Sequence, residues 1–174
     1  MSTLAPARHE HSHRSPLTTL SVRPLAAGES GPLRTVFDRM SHRSRYFRYL
    51  TGTPRLTPSM LRVLTDVGHA RHLAWAAEVD GVPVGIARLI RPDVEGSEAE
   101  VALEVADEHH GRGIGTALLA VVRQAAAASG VSTLVWTASA ENDAVRRLLA
   151  GSGSTVRWAD GVLEGRMPVA PAGS

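Results

Sequence analysis

Between residues 98 and 129 the chain reads EAEVALEVADEHHGRGIGTALLAVVRQAAAAS. Alternating apolar residues over 98–107 predict a strand. The apolar run after the glycines predicts a helix from about 113 to 129, closed by Gly130. Between them, HHGRGIGT at 109–116 sets three glycines at alternate positions. Such a strand–glycine turn–helix unit lets backbone N–H groups approach an anion closely. The helix start adds unpaired N–H groups and a positive dipole end, and Arg112 adds a charge, so the stretch predicts a phosphate-binding turn. A dinucleotide fingerprint would need glycine where Thr116 stands, or Leu118 if counted from Gly113. A P-loop would need Gly-Lys-Ser/Thr, which is missing.

The rest of the chain shows where this unit sits. LTTLSVRPL (17–25) predicts a first strand. Three helical stretches follow: 30–40, 41–50 capped by Ser41, and one opened by Thr57 and Pro58. The period then changes to two. Residues 72–79 and 82–90 predict a hairpin about Asp80–Gly81, and 98–107 makes a third consecutive strand. After the turn and its helix come a strand at 132–139, a short helix at 141–152 and two strands joined at Asp160–Gly161. The predicted order is βααα-βββ-αβ-αββ in one domain over 17–167, with loose ends at 1–16 and 168–174. His9, His11 and His13 alternate in the first of these and suit a solvated tail.

Composition narrows the function classes. There is no cysteine, which excludes disulfides, thiolate metal sites and a cysteine nucleophile. Apolar runs are too short to span a bilayer, and the start lacks a secretory apolar region. A cytoplasmic protein with no membrane partner is the expectation. The formal net charge is only +2, and no nucleic-acid motif is present. No metal-ligating constellation stands out.

The turn resembles the phosphate motif of the GNAT superfamily of acetyl-CoA-dependent N-acyltransferases. Its commonest form, Gln-Gly-Arg-Gly-Ile-Gly, matches HGRGIG at 110–115 in five of six positions, with His110 in place of Gln. The resemblance covers 17–167 and implies an α+β, three-layer fold: a mixed, mostly antiparallel sheet flanked by helices. It implies acetyl-CoA as co-substrate, its pyrophosphate on the amides of Arg112, Gly113, Ile114, Gly115, Thr116 and Ala117. Asn142 matches the asparagine that contacts the cofactor after the next strand. The front half, with SHRSRYFRYL and HLAWAAEVDGVPVGIARLIR, looks like bacterial protein lysine acetyltransferases that act on acyl-CoA synthetases. The acceptor implied is a protein lysine, with a small amine (antibiotic, polyamine or amino acid) as the alternative and a non-catalytic acyl-CoA-binding module as the third reading. The family's usual tyrosine acid is replaced by Leu148 and Leu149, leaving that role unassigned.

Transfer to nitrogen needs a neutral amine. At pH 7 only about one lysine in 2,500 is neutral, and reaching the free base costs about 4.6 kcal/mol, so a positioned carboxylate helps. Glu100 and Glu104 are four apart and share one strand face, with small Ala102 between them. By the resemblance, Ala99-Glu100-Val101 matches the step that carries the catalytic glutamate, which makes Glu100 the general base. The same comparison makes the backbone N–H of Glu104 or Val105 the group that polarises the thioester carbonyl. It sets the pantetheine arm along Leu103, Glu104 and Val105. Arg43, Arg45 and Arg48 are candidates for contact with an acidic substrate surface. Tyr46, Phe47 and Tyr49 are expected to pack their helix on the sheet, and Trp75, Trp136 and Trp158 to be core or groove wall.

Overall fold

The computed structural model describes residues 19–52 and 55–169; the readings on 1–16 and on His9, His11 and His13 lie outside them. Of the loose end expected at 168–174, Pro168 closes a strand and Val169 N–H donates to the Ser132 carbonyl, while 170–174 lie outside. The elements are β1 (Leu20–Pro24), α1 (Gly31–Asp38), α2 (His42–Tyr49), α3 (Pro58–Thr65), β2 (His72–Val79), β3 (Val82–Ile90) and β4 (Glu98–Val105). After a 3-10 turn at Asp107–His109 come α4 (Ile114–Ala128), β5 (Thr133–Ser139), α5 (Asp143–Leu149), β6 (Thr155–Ala159) and β7 (Val162–Pro168). The order is the expected one. Local chemistry accounts for the ends: the Ser41 hydroxyl accepts from Ser44 N–H, and Thr57 from Met60 N–H ahead of Pro58. Asp80–Gly81 and Asp160–Gly161 both hold positive φ at two successive residues, as two-residue hairpins require.

Seven strands form one sheet in the order β1-β2-β3-β4-β5-β7-β6. Every pairing is antiparallel except β4–β5. One face buries Leu33, Val36 and Met40 of the α1 region and Leu61 of α3 against Ala74, Ala76 and Ile86. The other buries Leu118, Val122 and Ala126 of α4 against Ala87, Leu89, Val101 and Leu134. These three layers are the expected fold class.

The parallel pair is the irregular place. β4 meets β5 at only three rungs, Glu98–Thr133, Ala99–Leu134 and Glu100–Val135. β5 is instead paired along its whole length, 133–139, with β7. Beyond Glu100, therefore, β4 keeps β3 on one edge and opens a gap on the other. The Trp136 ring packs against Gly165 of β7, where an added Cβ would come within 2.0 Å of ring atoms. Trp75 and Trp136 are core, as expected. Trp158 is not: it stands 63% exposed on β6, a strand with a neighbour on one side only.

Candidate active site

The gap between β4 and β5 is the mouth of a cleft of about 790 Å³, within the usual size of small-molecule sites. It is lined by residues 100–105 of β4, the glycine turn, residues 136–138 of β5, one side of α5 and the inner side of α2. The floor of the turn is built for an anion. Gly113 caps α4 at φ 79° with no side-chain cap, and the amides of residues 111–116 have no acceptor among the described residues. The Ala117 N–H is different: it already donates to the Gly113 carbonyl at 3.0 Å. The free set thus ends at Thr116, and Ala117 drops out of the expected amides because the first helical hydrogen bond has begun there. These free donors at the head of a 15-residue helix fit a pyrophosphate.

His110 has a structural role. Its Nε2 lies 2.9 Å from the Val105 carbonyl, which can only accept, so the ring carries its proton on Nε2. It ties the end of β4 to the turn that follows. Asp107 fixes the same turn to the start of α2: its N–H donates to the Arg39 carbonyl and its Oδ2 accepts from Ser41 N–H.

The two glutamates of β4 part company. Glu100 is exposed at the closed end of the gap, on the last rung shared with β5, and makes no hydrogen bond or ion pair among the described residues. Glu104 is buried, 5% exposed. Its Oε1 accepts from Arg88 Nη1 at 3.0 Å; its Oε2 accepts from the Tyr49 hydroxyl at 3.0 Å and lies 3.5 Å from Arg48 Nε. Burial alone would push this carboxyl up. The charges of Arg88 and Arg48 and the hydrogen bonds from Arg88 and Tyr49 outweigh that and hold it below its ordinary range. A carboxylate so paired is no proton acceptor at neutral pH. Nor is its backbone free. Ala106 N–H donates to Val84 on β3, and antiparallel alternation sends the Glu104 N–H, two residues back, to the same side. Glu104 is therefore corrected from a catalytic candidate to a buried ion-pair partner. By the same alternation the Val105 N–H faces the gap, as do the backbone groups of Leu103.

Arg88 is the residue that sequence reasoning missed. It is fully buried on β3, directly across from Ala102 and diagonal to Glu104. A single arginine inside the apolar run VPVGIARLI was the available signal. Tyr49 packs on Phe37 of α1, at 5.9 Å between ring centroids, and reaches the sheet through its hydroxyl, which donates to Glu104 of β4. Burial and the Glu104 charge push its phenol up, which makes it a poor acid. Tyr46 is 50% exposed and does not pack on the sheet as expected. Arg45 lies over Phe37 at 4.2 Å and is committed there. Asn142 lines the cleft and caps α5, its Oδ1 accepting from Val145 N–H at 3.2 Å, which leaves its NH₂ to face a ligand.

The family model described as Acetyltransferase (GNAT) family matches residues 38–153. The chain belongs to this family. As a GNAT acetyltransferase it is an enzyme that uses acetyl-CoA, and the open strand edge, the free amides and the cleft are the parts that suit that substrate. An acetyltransferase of Pseudomonas aeruginosa is 30% identical over 136 residues, covering 76% of this chain and 73% of the relative. The acetyltransferase Pat of Mycolicibacterium smegmatis is 29% identical over 128 residues; the match takes in 72% of this chain but 38% of that longer protein. Among solved structures, the GNAT domain of S. lividans PAT superposes with a TM-score of 0.76 at 26% identity, over 84% of this chain and 89% of that one. No helix among the described residues is long and apolar enough to cross a membrane.

Proposed function

We propose that this GNAT acetyltransferase transfers acetyl from acetyl-CoA to the side-chain amine of a protein lysine, by direct attack within a ternary complex. The observation that carries this is an exposed, unpaired Glu100 at the closed end of the β4–β5 gap, where a long side chain can reach it from outside. The resemblance of the front half of the sequence to bacterial protein lysine acetyltransferases supports the same acceptor class. In this scheme acetyl-CoA supplies the acyl group as a thioester. The amides of Arg112, Gly113, Ile114, Gly115 and Thr116 hold the pyrophosphate, and the Asn142 NH₂ and the backbone of Leu103 and Val105 steady the arm. The Val105 N–H polarises the carbonyl. Glu100 receives the amine proton through intervening water as the new C–N bond forms. The C–S bond breaks toward a thiol with an ordinary pKa near 8.5, so the leaving group needs little help and a cleft without a tyrosine on α5 suffices.

Two measurements test this reading. In an acceptor screen read by mass spectrometry, an acyl-CoA synthetase is expected to gain acetyl-lysine and release free coenzyme A. Acetylation of polyamines or aminoglycosides alone would overturn the lysine assignment. Gly113→Val tests the turn. A Cβ there meets nothing within 4 Å, so any effect comes through the backbone, whose φ of 79° a β-branched residue resists. A loss of about tenfold or more in acetyl-CoA affinity by calorimetry is expected, from strain of about 1–3 kcal/mol. Unchanged affinity would refute the phosphate assignment.

A further inference from the structure

One carboxylate on this side of the cleft serves two guanidiniums. Glu104 gives its shorter, hydrogen-bonded contact to Arg88; Arg48 Nε stands 3.5 Å away and has no hydrogen-bond partner among the described residues. The Arg48 side chain is 17% exposed and lines the cleft, with its guanidinium over the Tyr49 ring at 5.0 Å. It is also the one cation of α2 in that lining. α2 reads HRSRYFRY, with three arginines and no acidic residue. Of the other two, Arg45 is held over Phe37, and Arg43 is 71% exposed and 4.0 Å from Glu141.

We propose that Arg48 is an anion subsite for the acceptor, so that the preferred lysine has an aspartate or glutamate close by. The proposal rests on the lysine-acceptor reading and names what surrounds that lysine. Arg48 sits at Glu104, one residue from the Val105 N–H that holds the reacting carbonyl in that reading, so an anion bound there lies beside the acceptor amine. In a protein acceptor that anion is a neighbouring side chain, because the lysine's own carboxyl group is taken up in a peptide bond. The same charge opposes polycations: Glu104 is already neutralised, so a second ammonium group on the acceptor would meet Arg48 with no anion to receive it.

The test uses peptides with a single lysine and a glutamate at each of the three positions on either side, each beside its glutamine counterpart. With the intact protein at low salt, at least one glutamate peptide is expected to exceed its glutamine counterpart in kcat/KM by about fivefold, an advantage that shrinks as salt rises. Arg48→Gln should erase the difference and Arg48→Lys keep part of it. If Arg48→Gln does not fold, the wild-type salt dependence and Arg48→Lys decide. Equal rates for every pair in the wild type would overturn the subsite and leave lysine transfer standing. No turnover of any peptide, with small amines acetylated instead, would overturn both.

Discussion

Glu100→Gln is expected to lower kcat at pH 7 by about 10²–10⁴-fold, the usual worth of a positioned general base, with acetyl-CoA affinity and thermal midpoint nearly unchanged. The separation of effects follows from its surroundings. Glu100 is exposed and bonded to nothing among the described residues, so its loss removes no contact that holds the fold. It lies at the end of the gap away from the free amides of the turn, so the anion-binding part of the cleft stays intact. What the variant loses, in the proposed mechanism, is the proton acceptor. Its residual rate should climb about tenfold per pH unit, as the neutral fraction of a lysine with pKa about 10.4 does. Single-turnover measurements from pH 7 to 9 check this. Wild-type kcat in the variant at pH 7 would remove Glu100 from the chemistry, and a large rise in the acetyl-CoA Kd would recast it as a binding residue.

The parts of this site that depend on neighbours along the chain are legible in the sequence. Asp80–Gly81 sets the ends of β2 and β3 because the turn chemistry is local, and Ser41 and Thr57 open α2 and α3 for the same reason. The glycine turn ahead of α4 belongs with them. The period of two also tells correctly that Glu100 and Glu104 share a face. It cannot tell that one faces solvent and the other is buried, because that depends on what covers the face: Tyr49 and Arg48 from 55 and 56 residues upstream, and Arg88 from the next strand. The β4–β5 gap is equally hidden. Both strands read as ordinary apolar strands, and the divergence arises because β7 pairs with β5 along its whole length. Trp158 reads as core from its size. Its strand lies at the end of the sheet, which only the long-range order of strands reveals.

Arg88→Met is expected to destabilise the protein by about 3–5 kcal/mol at pH 7, the cost of leaving a buried carboxylate without its main partner. For a chain of 174 residues that is a fall of about 10 °C in Tm. Arg48 softens the loss only a little, since it stands farther off and partly in solvent. The double variant Arg88→Met, Glu104→Gln should recover much of the stability. It removes both buried charges, and with them the Arg88 Nε and Nη2 atoms that have no hydrogen-bond partner among the described residues. The pH dependence gives a second handle. The folded state holds the Glu104 carboxyl below its ordinary 4.5, so its contribution is complete above that value and is lost as pH falls through the lower, folded one. Denaturant titrations at pH 7 and near pH 3 should therefore show a larger loss for wild type than for Glu104→Gln. A full loss in the double variant equal to the sum of the single variants would mean that Arg88 and Glu104 act independently. The contacts among β3, β4 and α2 would then not hold that side of the cleft together.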